Sequence, residues 1–137
     1  MQLYIPDACI ILAFFLREKE RGEKAKDFFQ DVNNGKYSVL LPSIWFYEVG
    51  NKLGMLSTYE AKMYRDTLNF YRDHFFTTVH LDQETTHTAF SLMKKYKGIT
   101  FYDASYHALA LARKGTFLTC DKKYYSLAKK AGSIELF

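Results

Sequence analysis

The chain has 137 residues, 48% hydrophobic and 25% charged, the balance of a single globular domain rather than a disordered segment. No apolar run reaches the ~18 residues that span a bilayer; the longest, Ala8 to Leu16, lacks the basic flank of a signal peptide, so the protein is expected in the cytoplasm. Formal net charge is +4, from 19 basic and 15 acidic residues, which permits a polyanionic partner without demanding one.

The elements follow in chain order. Leu3-Tyr4-Ile5 before Pro6 reads as a short buried strand that ends where the chain leaves a sheet. Ala8 to Leu16 is helical, and a longer helix runs from about Glu20 to Val32, stopped by Asn33-Asn34-Gly35. Val39-Leu40-Leu41 before Pro42 repeats the strand pattern. Ser43 is placed to cap a helix to about Lys52, with Gly54 ending it. Thr58 is placed to cap the next, to about Arg72, with Glu60 in its first turn, where the helix dipole favours an acid.

A third strand covers Thr77 to Leu81. Asp82 opens a helix to Tyr96, stopped by Gly98. Ala104 to Lys114 is helical and stopped by Gly115. Thr116 to Cys120 is the fourth strand. Lys122 to Ala131 is the last helix, stopped by Gly132, and Ser133 to Phe137 the fifth strand. Strands alternating with helices predict an α/β fold: one domain over residues 1–137, with a parallel five-stranded sheet between two helical layers. No repeat or linker interrupts it.

In such sheets the functional site lies outside the carboxyl ends of the strands, near the point where strand order reverses. Four acids fall there. Asp7 follows the first strand and Asp121 the fourth. Asp103 opens a helix two residues after Phe101, and Glu48 lies within the helix after the second strand. Helix capping is an alternative role for Asp7 and Asp121, and Thr100 with Asp103 has capping-box spacing. Glu48 is different, because Trp45, Phe46, Tyr47 and Val49 make its helix mostly apolar, and a carboxylate there needs a partner. Gathered within ~5 Å, four carboxylates would repel by roughly 3 kcal/mol per ionised pair. A cluster of that kind requires a cation, and oxygen-only ligands point to Mg²⁺ or Mn²⁺. With these four set aside, 19 basic residues stand against 11 acidic ones, a surplus of +8 around an acidic pocket. That distribution suits a phosphate-rich substrate.

Four segments carry a resemblance: Tyr4-Ile5-Pro6-Asp7-Ala8, Leu41 to Val49, Thr100 to Ala110, and Leu118-Thr119-Cys120-Asp121. In this order and spacing the chain resembles the PIN-domain ribonucleases, and most closely the VapC-like toxins of toxin–antitoxin pairs. The resemblance implies that Asp7, Glu48, Asp103 and Asp121 bind the metal and cut RNA, single-stranded or structured. It further implies a homodimer and a small antitoxin protein that blocks the site. Thr119 matches a small hydroxyl residue often found two before the last acid, where it would orient Asp121 or a bound water. One departure is Cys9, where many relatives carry Ser, Thr or Asn. A thiol is a weak hydrogen-bonding partner, so support for Asp7 from that position is expected to be weaker.

His107 and Tyr106, four and three residues after Asp103, share its helix face and are candidate contacts for a phosphate and a base; core packing is the alternative for both. Lys122 and Lys123 are candidate phosphate contacts, or simply a solvated helix start. Arg17, Lys19 and Arg21 form a basic stretch of the same ambiguous kind. His74, His80 and His87 lack ligand spacing, and Cys9 and Cys120 form no metal motif, so both are expected as free thiols. Aromatic residues reach 18%. Those around Trp45, Phe46, Phe70, Tyr71, Phe75 and Phe76 exceed what a small core requires, and part is expected in a homodimer interface.

Other readings stay open. A PIN-type RNA-processing nuclease without an antitoxin has the same acids. A receiver-like signalling domain shares the sheet and an acidic Mg²⁺ pocket, but needs an aspartate at a third strand end where this chain has Glu48 in a helix. A phosphatase with an Asp-x-Asp pair is disfavoured by Cys9. An inactive interaction module would have no need of all four acids.

Overall fold

A computed structural model describes residues 1–56 and 60–137. Five strands, β1 (Gln2–Pro6), β2 (Tyr37–Pro42), β3 (Thr77–Val79), β4 (Thr116–Thr119) and β5 (Ile134–Leu136), form one sheet in the order β3-β2-β1-β4-β5. Every neighbouring pair is parallel. Seven α-helices are described: α1 (Ala8–Phe15), α2 (Glu20–Asn33), α3 (Ile44–Gly54), α4 (Ala61–Phe70), α5 (Gln83–Lys95), α6 (Phe101–Arg113) and α7 (Lys122–Ala128). The layers are α/β/α. On one side α6 lies across β1, β2 and β4 and pairs with α5. Elsewhere α1 packs on α2 and α3, and α2 and α3 both meet β2. Among the described residues no helix is long and apolar enough to cross a membrane.

The central strands are buried on both faces, so they read as apolar runs rather than alternating ones. Ile5, Leu41 and Phe117 are wholly inaccessible. On α3, Trp45, Val49 and Leu53 recur every fourth residue and form its inward stripe. Gly115 lets the chain enter β4 hard against β1: a Cβ there would meet Leu3 O at 3.0 Å and Ile5 Cδ1 at 2.9 Å. The residue in left-handed conformation at this helix end is Lys114 (φ 54°), so Gly115 is required for close approach and not for the turn itself.

Several boundaries differ from expectation. Ser43 is itself helical (φ −54°, ψ −23°) and caps nothing; its hydroxyl pairs with His80 Nδ1 at 3.0 Å. The cap expected at Thr58 lies outside the described residues. α4 continues into a wide turn at Tyr71–Phe75, closed by Phe76 N–H donating to Tyr71 O at 2.7 Å. α6 starts three residues early because Thr100 caps it, accepting from Asp103 N–H at 3.2 Å. A short 3₁₀ turn, Lys129–Ala131, replaces the end of the last helix.

The aromatic excess goes mostly into the chain's own core. Trp45 packs on Phe76 (centroids 5.1 Å apart), Phe76 on Phe29 (5.6 Å), and Phe29 on Phe14 (4.9 Å). Trp45 and Phe76 are buried, contrary to a role at a subunit surface, whereas Phe70 and Tyr47 stay exposed at 55% and 70%.

Candidate active site

The site begins with a register. Pro6 of β1 sits opposite Leu118 of β4, and Asp7 N–H extends the ladder by donating to Leu118 O at 2.8 Å. Asp7 and Thr119 are thereby abreast at the carboxyl ends of the two strands, with Asp121 just beyond. β1 has β2 on one side and β4 on the other, so strand order reverses here, where an α/β sheet opens its crevice.

Asp7 and Asp121 are both structural caps. Asp7 Oδ1 accepts from Ala8 N–H at 2.7 Å, and Asp121 Oδ1 accepts from Tyr124 N–H at 2.9 Å. One hydroxyl links them. Thr119 Oγ1 donates to Asp7 Oδ2 at 2.7 Å and accepts from Asp121 N–H at 3.1 Å. Thr119 is wholly buried and Asp7 is 6% exposed. Thr119 therefore fixes the Asp7 carboxylate and the Asp121 backbone, rather than the Asp121 carboxylate. Burial pushes the Asp7 carboxyl above its ordinary pKa and the Asp121 charge adds to this, while the Thr119 and Ala8 hydrogen bonds oppose it. Cys9 adds the smallest of these contacts, a thiol hydrogen bond to Asp7, while its Sγ accepts from Cys120 N–H at 3.3 Å. Thr119 fills the supporting role that residue 9 was expected to fill poorly.

Glu48 and Asp103 are held differently. Glu48 comes from the middle of α3 and Asp103 from the first turn of α6, where Thr100 already does the capping. Among the described residues, neither carboxylate accepts a backbone N–H as Asp7 and Asp121 do. Glu48 Oε1 is buried with no hydrogen-bond partner. Burial, then the charges of Asp7 and Asp103, raise the Glu48 pKa to about 7; the Tyr106 hydroxyl and Lys52 relieve it in part. The Tyr106 hydroxyl lies beside Glu48 but does not meet hydrogen-bond geometry. Asp103 rises to about 6, from burial first and then the charges of Asp7 and Asp121.

All four acids line one open cleft of about 420 Å³, with Arg21 and Lys52 on its walls. The donor set is hard oxygen, and the orphaned Glu48 oxygen and the raised acids, only partly relieved by Lys52, fit Mg²⁺ or Mn²⁺. As placed, no three His, Cys, Asp or Glu side chains among the described residues stand close enough together to hold one ion. The acids share a cleft without closing on a point.

The four candidate substrate contacts fall in two groups. Tyr106 and His107 are both wholly buried. His107 is fastened at both ring nitrogens, Nδ1 to Tyr124 OH (2.9 Å) and Nε2 to Gly132 O (2.7 Å), and burial lowers its pKa. It ties α6 to α7 and does not face the cleft, and Tyr106 offers no surface on which a base can stack. Lys122 and Lys123 are exposed on the first turn of α7 but do not line the cleft. The cations that do are Arg21 and Lys52. Lys52, one helical turn after Glu48, was legible from that spacing; Arg21 stood in an ambiguous basic stretch.

The sequence matches the PIN domain family over residues 4–130. No curated protein matches it. Among solved structures, the chain is similar to VapBC2 from Rickettsia felis, bound to a DNA fragment from its promoter. The TM-score is 0.77 at 11% identity, covering 99% of each chain. It is also similar to the sarcin-ricin loop cleaving toxin VapC20 of Mycobacterium tuberculosis (TM-score 0.72, 14% identity, 96% of this chain and 97% of that one). A third is a toxin–antitoxin complex from Klebsiella pneumoniae (TM-score 0.68, 17% identity, 98% and 96%). At these identities the likeness is one of fold.

Proposed function

The chain belongs to the PIN-domain family, and from that premise we propose that it is a metal-dependent endoribonuclease, the toxin of a toxin–antitoxin pair. The observation that carries this is the cleft itself. Four carboxylates from four separate segments line it, and two of them, Glu48 and Asp103, have pKa values lifted to about 7 and about 6.

Asp7, Glu48, Asp103 and Asp121 would hold Mg²⁺ or Mn²⁺, which when bound supplies Lewis acidity at a phosphodiester and acidifies water. The residues do the rest. Asp7 and Asp121 are kept in place by Thr119 and by their capping bonds, so half of the donor set is preorganised. Burial and the charge of Asp7 raise the Glu48 carboxyl to about 7, a cost that a bound cation would offset. Arg21 and Lys52 offer positive charge to phosphates entering beside the acids. RNA is the substrate this reading assigns.

The antitoxin and the dimer belong to the same reading. A groove of about 860 Å³ runs between the end of α1 and α4, lined in part by Phe14, Phe15, Leu53, Met63 and Tyr71. It suits an apolar peptide segment. The exposed Tyr47 and Phe70 supply apolar surface for a second copy. A receiver-like domain has no support: such sheets run 2-1-3-4-5, whereas this one runs β3-β2-β1-β4-β5.

The test is cleavage of RNA by purified protein with Mn²⁺, with a chelator, and with Asp103→Asn. Mn²⁺-dependent cleavage that the substitution removes supports the proposal. Cleavage that survives both chelator and substitution refutes it.

A further inference from the structure

The chain has two cysteines, and both line the acidic cleft. Cys9 lies in the first turn of α1, two residues after Asp7. Cys120 lies between β4 and Asp121. They are 111 positions apart in sequence, yet Cys120 N–H donates to Cys9 Sγ at 3.3 Å, and the two thiols interact side chain to side chain. An amide nitrogen is one bond from its own Cα, so the Cys120 side chain is rooted beside the Cys9 sulfur. Both residues are partly accessible. The Asp7 carboxylate rests chiefly on Thr119 and Ala8 N–H, with the Cys9 thiol a weaker third contact.

We infer that Cys9 and Cys120 form a redox switch, a reversible disulfide across the floor of the cleft that weakens cation binding by the acids beside it. An S–S bond is ~2.05 Å long, so forming it from two unbonded thiols draws together the first turn of α1 and the β4–α7 junction. Asp7 rides on one and Asp121 on the other. Their spacing, set in the reduced protein by the Thr119 hydroxyl, then changes. The bond itself stands apart from the nuclease reading; its effect on cation binding rests on that reading.

The oxidant is a small disulfide, with oxidised glutathione as the probe. The Cys120 thiol, the less deeply buried of the two, loses its proton and attacks one glutathione sulfur. That step forms a mixed disulfide and expels one glutathione thiolate. Cys9 then loses its proton and attacks the Cys120 sulfur, expelling the second. The protein gives up two electrons and two protons, and the oxidant takes them up as two molecules of glutathione.

The experiment equilibrates the full chain with oxidised glutathione and follows it by intact mass, peptide mapping and Mn²⁺ titration calorimetry. The expected product is lighter by two hydrogens, yields a Cys9–Cys120 cross-linked peptide, and reverts with dithiothreitol. Cys9→Ser should stop at the mixed disulfide on Cys120. The cross-linked protein should bind Mn²⁺ roughly 10-fold more weakly than the reduced protein, and a Cys9→Ser/Cys120→Ser variant should be indifferent to the oxidant. Two retained thiols, or a wild-type protein arrested as the mixed disulfide, overturn the inference. So does a cross-linked protein with undiminished Mn²⁺ affinity. If the reduced protein binds no Mn²⁺, the nuclease reading fails and takes the switch with it, and the peptide map shows whether the bond forms regardless.

Discussion

Asp7 and Asp121 on one side of the cleft, and Glu48 and Asp103 on the other, are the same chemistry in two mechanical settings. The first pair ends two adjacent strands, caps two helices and shares one threonine hydroxyl. The second pair caps neither of the helices it stands on, and burial with neighbouring carboxylates raises its pKa values to about 7 and about 6. The fold needs the first pair whether or not an ion is bound. It holds the second pair against burial first and then against the charge of Asp7 and the other carboxylates. A site of this kind is half scaffold and half load, and substitutions should sort accordingly.

The largest contrast is expected at Asp103→Asn. RNA cleavage should fall by at least about 100-fold, beyond what loss of a mere supporting partner costs, while the metal-free protein melts higher because one repelling charge is gone. An equal loss of stability and cleavage would erase the distinction between the pairs.

Thr119→Val tests the scaffold. It deprives the buried Asp7 carboxylate of a donor and the Asp121 N–H of an acceptor, and should cost about 2 kcal/mol in denaturant unfolding. Stability equal to wild type would mean that water replaces the hydroxyl and that the first pair is not rigidly held.

A smaller effect is expected with pH. Glu48 and Asp103 have folded-state pKa values above their unfolded ones, so the folded protein binds more protons between those limits. Their contribution to stability is fully present below the unfolded values, near 4, and is lost as pH rises through about 6 and about 7. The metal-free melting temperature should therefore fall between pH 5 and pH 8. Glu48→Gln should flatten that slope, and saturating Mn²⁺ should reverse it. A slope unchanged by Glu48→Gln would assign the pH dependence to other groups.

The smallest effect separates lysines. Lys52→Ala should lower the salt dependence of RNA binding by about one phosphate contact, and Lys122→Ala should leave it unchanged. The opposite result would place the RNA path over α7.

The positions of Asp7 and Asp121 were legible because β1, β2 and β4 are short runs that lead into proline or aspartate, and a parallel sheet puts such ends on one edge; Glu48 and Asp103 were legible from the helices that follow. The thiol contact and Arg21 were not, because both depend on which strands become neighbours. For Tyr106 and His107 the structure bears out core packing over substrate contact. Shared helical face with Asp103 holds only where the helix has an outer face, and α6 from Ala104 to Ala110 is buried all round. Its continuous run of small and apolar residues was the available signal. Ser43 misled because a hydroxyl before a helix has other partners to choose from, here His80.

The hydrogen bond between Thr119 and Asp7 joins residues 112 positions apart. During synthesis, Asp7 leaves the ribosome long before Thr119 and Asp121 exist, and β1 has no β4 to pair with until the last strands emerge. An incomplete nascent chain therefore carries every acid up to Asp103 with no site to put them in. Any activity of the cleft therefore waits until the segment around Thr119 and Asp121 has left the ribosome and β4 has paired with β1.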